Sequence, residues 1–253
     1  YGYMSPANNT FKTTSGGTTS TLRTAYADGV TTRIYFGGSS GDLEQLQGGF
    51  DDTSFDADRL VSGAVFTDFE SYQVNGVRQL FYSYRQAGGG DIGIHDFSGT
   101  FNDTWLSATA SGAFDLGATN NHKLINSDNG FLYVLDGSAV HKIDGTTAGG
   151  ANGTVTANVL SFPAVFQLID GVDHRGKIYM SMIRSSRDLT SGDNVNLWSE
   201  YCGVYIWDRQ SSVAGMRDFI AIDGVREVRN VFIFQGVPHC FTVSNTRVTQ
   251  LRK

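Results

Sequence analysis

Residues Lys123–Leu160 read KLINSDNGFLYVLDGSAVHKIDGTTAGGANGTVTANVL, four short extended runs separated by turn residues. Lys123–Asn126 is the first run, and Asp128-Asn129-Gly130 turns the chain. Phe131–Leu135 is apolar throughout, the pattern of a strand buried on both faces. Asp136-Gly137 is a tight-hairpin signal, since such turns demand positive φ. Ala139–Ile143 returns antiparallel, and a glycine-rich loop leads to a fourth run, Thr154–Leu160. No 3.6-residue period fits this stretch. Four antiparallel strands in under forty residues, with polarity rising outward, describe one blade of a β-propeller.

The same grammar recurs along the chain. Arg33-Ile34-Tyr35-Phe36, Leu80-Phe81-Tyr82, Phe131-Leu132-Tyr133-Val134, Lys177-Ile178-Tyr179-Met180 and Cys240-Phe241-Thr242-Val243 align as second strands. Their spacing of roughly 45 to 60 residues is that of propeller blades. Asn75-Gly76 marks another hairpin between Val65–Val74 and Arg78–Tyr84, and a turn containing Gly171 and Gly176 separates Ala164–Ile169 from Lys177–Ile183. The expectation is a single all-β propeller at residues 22–253, with five blades of four antiparallel strands. Its last unit lacks a fourth strand. Residues 1–21 form a polar arm whose piece Thr10–Thr14, around Phe11, could close the ring against the strand near Thr249.

Composition narrows the function. The 253 residues hold 31 glycines and only 3 prolines, suited to many tight turns between uninterrupted strands. A net charge of −6 argues against a phosphate-binding surface, so nucleic acid is not an expected partner. No apolar run is long enough to span a membrane as a helix, and no membrane insertion is expected. Cys202 and Cys240 read as buried reduced thiols. His95, His122, His141, His174 and His239 are scattered without ligand spacing, so neither metal nor cofactor is expected. The chain begins at Tyr1, as a processed product or a piece of a longer polypeptide would.

The unit DNGFLYVLDGSAVHKIDG (Asp128–Gly145) resembles the blades of the NHL, PQQ and related repeat classes, a likeness of local blade grammar that carries no catalytic residues. The segments GVDHRGKIYMSMIR (Gly171–Arg184), GVYIWDRQSS (Gly203–Ser212) and RDFIAIDGVREVRNVFI (Arg217–Ile233) resemble virion structural proteins of tailed bacteriophages. That resemblance implies a propeller-bearing component of a tail, fibre or capsid decoration, located on the virion or outside the cell.

Candidate chemistry lies where inner strands end. Asp68 and Glu70, Asp170 and Asp173, and Glu227 are the acids nearest inner strands, and a glycosidase on this fold would draw on Asp68, Asp170 and Glu227. Against that, Asp170 and Asp173 bracket a glycine, where Asp suits a turn, and the others are polar members of alternating strands. Asp173-His174-Arg175 reads as a solvated turn with His174 on a backbone carbonyl. The long polar excursion Arg184–Glu200 is the expected binding surface, with Arg184, Arg187, Asp188, Asp193, Asn196, Trp198 and the following Tyr201. Asp188, Asp193 and Asn194 lack the alternate spacing of an EF-hand calcium loop.

These readings combine into one expectation: a non-enzymatic structural or attachment component of a phage-like particle. Its loops would meet other virion proteins or a host surface glycan, and it could self-associate within an assembly. The competing readings are an extracellular glycoside hydrolase and a cellular protein-interaction hub. Convergence of Asp68, Asp170 and Glu227 separates the hydrolase from a scaffold.

Overall fold

The computed structural model describes residues 22–31, 33–46, 55–106, 115–145, 154–184, 202–215, 218–222, 225–244 and 249–252. Their strands form antiparallel sheets in which chain order is also spatial order. The first sheet is β1 (Leu22–Asp28), β2 (Arg33–Gly38), β3 (Asp42–Leu46) and β4 (Phe55–Leu60). The second is β5 (Val65–Val74), β6 (Val77–Gln86), β7 (Gly89–His95) and β8 (Phe101–Leu106). The third is β9 (His122–Asn126), β10 (Leu132–Asp136), β11 (Ala139–Asp144) and β12 (Thr154–Ser161). The fourth is β13 (Phe166–His174), β14 (Lys177–Arg184), β15 (Gly203–Trp207) and β16 (Phe219–Ala221). A last sheet holds β17 (Val225–Phe234), β18 (Val237–Ser244) and β19 (Thr249–Arg252). The first strands β1, β5, β9, β13 and β17 pack against one another in that order, so the chain is an all-β propeller with these strands innermost.

Two features of the expected fold differ. Four sheets, not five, have the full four strands, and the last has three. The proposed ring-closing arm, residues 1–21, lies outside the described residues. The irregular stretch after Gln47 does yield an outer strand, β4.

Turn chemistry explains the hairpins. Asn75-Gly76, Arg175-Gly176 and Gln235-Gly236 each place two successive residues at positive φ, the two-residue turn whose twist matches the flanking strands. In the third sheet the turn sits one residue later than the sequence suggests. Gly137 has φ 59° and Asp136 remains a strand residue paired with Ala139. Gly171 is likewise no turn residue but lies within β13. An added Cβ there would meet Ile125 Cδ1 at 2.7 Å, so glycine serves the close approach of β13 to β9.

The cores lie between sheets. Tyr133, Leu135, Ile178, Met180, Met182, Tyr205 and Trp207 form one of them, as the alternation of the two second strands predicts. Tyr133 meets Trp207 edge to face with ring centroids 5.3 Å apart, and its hydroxyl accepts from Asn129 Nδ2 at 2.9 Å. Cys202 and Cys240 are free thiols buried in the cluster between the fourth and last sheets. Polar ties cross the same seams. The Tyr72 hydroxyl donates to Gly130 O and accepts from Gly145 N, and the Arg209 guanidinium holds Ser127, Asp128 and Asp173 together.

Tyr133→Ala should cost about 3 to 5 kcal/mol, because a large side chain leaves a packed core and Asn129 loses its partner. Reversible urea melts measure this, and a loss under about 1 kcal/mol would show that Tyr133 does not anchor the seam.

Candidate active site

Three inner strands bring their ionisable residues to one place. In β5 the register slips between Phe66 and Asp68, and in β13 it slips between Leu168 and Asp170. Such a bulge re-aims the side chain that follows it. Each aspartate then pairs across its hairpin with a fully buried serine, Ser83 for Asp68 and Ser181 for Asp170. The Asp170 N–H donates to Ser181 Oγ at 2.9 Å.

The two carboxylates make matching contacts to the next sheet. Asp68 Oδ2 accepts the Leu124 N–H at 2.8 Å, and Asp170 Oδ2 accepts the Val231 N–H at 3.0 Å. The residue preceding each N–H adds a side-chain donor, Lys123 to Asp68 Oδ1 at 3.3 Å and Asn230 to Asp170 Oδ2 at 3.3 Å. Lys123 reaches further. Its Nζ lies 3.2 Å from Asp68 Oδ2 and 3.5 Å from Asp170 Oδ1, so the two carboxylates sit within about 7 Å of each other around one ammonium. The Lys123 side chain keeps 29% of its surface exposed, which opens the cluster to solvent.

Glu70 joins them. It lies two residues beyond Asp68 on the same strand and therefore on the same face. One oxygen accepts the Ser71 N–H at 2.9 Å. Burial, reinforced by the neighbouring Asp68 charge and only partly offset by the Ser71 N–H, Lys123 and Arg78, lifts its pKa to about 7. Burial also raises Asp68, with Asp170 adding to the effect and Lys123 opposing it. Burial pushes Lys123 down, but Asp68, Asp170 and Glu70 outweigh it and hold the ammonium above the usual lysine range. A carboxylic acid that keeps its proton near neutrality, beside carboxylates held as acceptors, can donate that proton to a bound substrate.

Of the acids singled out from sequence, Asp68 and Asp170 converge. Glu227 occupies the equivalent bulge of β17, between Val225 and Glu227, yet its carboxylate pairs with Arg229 Nε at 2.8 Å. A second slip, between Val228 and Asn230, delivers Asn230 to Asp170 in its place. Glu70 was legible only as an alternating polar residue; i, i+2 spacing from Asp68 was its signal. Lys123 carried none, because it meets Asp170 across a seam. His174 does sit on a backbone carbonyl, Gly236 O, at 3.1 Å. Asp170 and Asp173 do not bracket a turn, since both lie within β13. Arg184 ends β14, and Arg187, Asp188, Asp193, Asn194, Asn196, Trp198 and Tyr201 lie outside the described residues. Among the described residues no group of three or more His, Cys, Asp or Glu is placed to hold a metal ion. A separate depression of about 230 Å³, lined by Lys177, Trp207, Asp208 and Asp218 among others, lies on the outer strands of the fourth sheet, away from these acids.

No family model and no curated protein matches the chain. Similar solved structures include an arabinanase of Bacillus subtilis, 12% identical, covering 92% of this chain and 93% of that one with a TM-score of 0.43. An α-L-arabinofuranosidase of Clostridium thermocellum is 14% identical over 90% of this chain and 83% of its own, with a TM-score of 0.42. A glucose dehydrogenase is 11% identical over 92% and 95%, with a TM-score of 0.41. The expectation of a chain without catalytic activity is corrected by these findings, since the structures it is similar to are named as enzymes and none of those three is a virion component. At such scores no residue's role passes from them to this chain.

Glu70 also makes a statement about stability. Its folded pKa stands above the unfolded value of 4.5, so the folded state holds the proton longer as pH rises. Stability from this group is therefore full below pH 4.5 and is lost progressively up to about pH 7. Urea melts across that window should show the decline, and Glu70→Gln should flatten it.

Proposed function

We propose that the chain hydrolyses glycosidic bonds, with Glu70 as proton donor and Asp170 as the opposing carboxylate. The observation that supports this reading is the shared cluster: two inner-strand carboxylates within about 7 Å around Lys123, 3.2 and 3.5 Å from its Nζ, with a Glu held near neutral pKa on the same strand face. Paired carboxylates some 5 to 9.5 Å apart are what glycoside hydrolysis uses. In the proposed step Glu70 gives its proton to the departing glycosidic oxygen as the carbon–oxygen bond breaks. Asp170, its charge supported by Lys123, Asn230 and the Val231 N–H, either takes a proton from the attacking water or bonds to the sugar carbon before water replaces it. Water supplies the hydroxyl left on the sugar and the proton that resets Glu70. Asp68, fastened to Leu124, supports the site by raising the Glu70 pKa.

The test is release of reducing ends or aryl leaving groups from a panel of glycosides, begun with arabinan and aryl α-L-arabinofuranosides because the similar structures are named for such substrates. The expected result is activity that declines above about pH 7, as Glu70 loses its proton. Glu70→Gln and Asp170→Asn should each lower kcat by about a hundredfold or more, the scale of a lost proton-transfer group. Undiminished turnover in Glu70→Gln, or no hydrolysis of any glycoside by folded protein, would remove the proposal.

A further inference from the structure

A second buried polar group lies away from the carboxylate cluster, where residues 115–120 cross from the second sheet to the third. On one side this segment is fastened to β7 by two backbone bonds, Gly90 N–H to Leu116 O at 2.8 Å and Leu116 N–H to Gly90 O at 3.0 Å. Arg85 adds a bond from its guanidinium to Thr119 O at 2.7 Å. On the other side Asp136 receives the segment, accepting the Gly117 N–H at 2.9 Å and Asn120 Nδ2 at 2.5 Å. The glycines of β7 permit the approach. A Cβ on Gly89 would meet Asp115 Oδ1 at 2.3 Å, and one on Gly90 would meet His122 Cε1 at 2.4 Å.

His122 sits beneath this crossing, almost fully buried. Its Nε2 lies 3.0 Å from Gly117 O, and because a carbonyl only accepts, Nε2 carries the hydrogen. Nδ1 is then a bare lone pair, buried and without a hydrogen-bond partner. A proton added there would place an N–H donor in the core with nothing to receive it.

We infer that residues 115–120 form an acid-released strap between the second and third sheets, with protonation of His122 as its trigger. Four groups bear on that proton. Asp136 Oδ1, 3.8 Å from Nε2, favours the cation, but it is already engaged by Asn120, Gly117 and His141. Arg85 and His141 disfavour it, and Asp115 sits at the outer end of the strap. Burial is the largest influence, and with Arg85 and His141 it outweighs Asp136 and the Gly117 carbonyl, holding the imidazole below its ordinary value of 6.5. A histidine depressed by folding contributes stability above its unfolded pKa and withdraws it as pH falls through 6.5. The Asp136 carboxyl, also held below its ordinary 3.8, withdraws its own contribution only at lower pH, so the two are separable. This inference is independent of the hydrolase reading.

Amide hydrogen exchange on the intact chain tests it. Protection factors at Gly90 and Leu116 should fall between pH 6.5 and 4.5, approaching tenfold per pH unit, because each opening takes up one proton. Amides in β13 and β14 should keep theirs. His122→Gln retains a donor for Gly117 O without a titrating ring, and its Gly90 and Leu116 protection should not change over the same range. If that variant does not fold, histidine NMR of the unaltered chain decides: the His122 ring signals should titrate together with the loss of protection. Constant protection in the unaltered chain, the same loss in His122→Gln, or titration of His122 with the strap still protected would each overturn the inference.

Discussion

An aspartate that accepts a backbone N–H from the neighbouring sheet is the contact on which the centre of this molecule depends. It occurs twice, from Asp68 to Leu124 and from Asp170 to Val231, each time just after a bulge and opposite a buried serine. Inner strands are hydrogen-bonded on one edge only, and their other edge would carry unpaired groups into the centre. A carboxylate satisfies such an N–H without requiring the next strand to join the same sheet. The sheets can then keep the twist between them that a propeller needs.

The same device concentrates charge. Two aspartates brought inward by their bulges would repel, and the Lys123 ammonium between them relieves the repulsion while fastening a third sheet. Glu70 shares the face but not the ion pair, so burial and the Asp68 charge leave it holding a proton near neutrality. Structural and chemical demands thus fall on the same residues. Asp68 is committed to the seam by both oxygens, whereas Glu70 is bound only through its own neighbour, Ser71. That difference separates a residue that holds the site from one that can act in it.

A smaller version of the arrangement governs the outer crossing at residues 115–120. Asp136 is free to receive that crossing because the third sheet's hairpin turns at Gly137, one residue later than its Asp-Gly pair suggests. Glycines at 89 and 90 admit the strap and the His122 ring, so a run that reads as a simple turn serves close packing as well.

The sequence by itself determined the strand pattern, the hairpins at Asn75-Gly76 and before Lys177, and the alternating core of β10 and β14, because these follow from local φ preferences and a two-residue period. Glycine roles were less legible, since Gly171 and Gly137 look alike in sequence while one admits a neighbouring strand and the other turns the chain. Only the tertiary structure decided the site. Asp68, Lys123 and Asp170 are far apart in the chain and meet because bulges in β5 and β13 turn their side chains toward a shared centre. Nothing local distinguishes Asp170 from Glu227, which follows a similar slip, and a second irregularity three residues later gives the contact to Asn230. A one-residue slip leaves no mark on composition or period, yet it decides which side chain faces the centre.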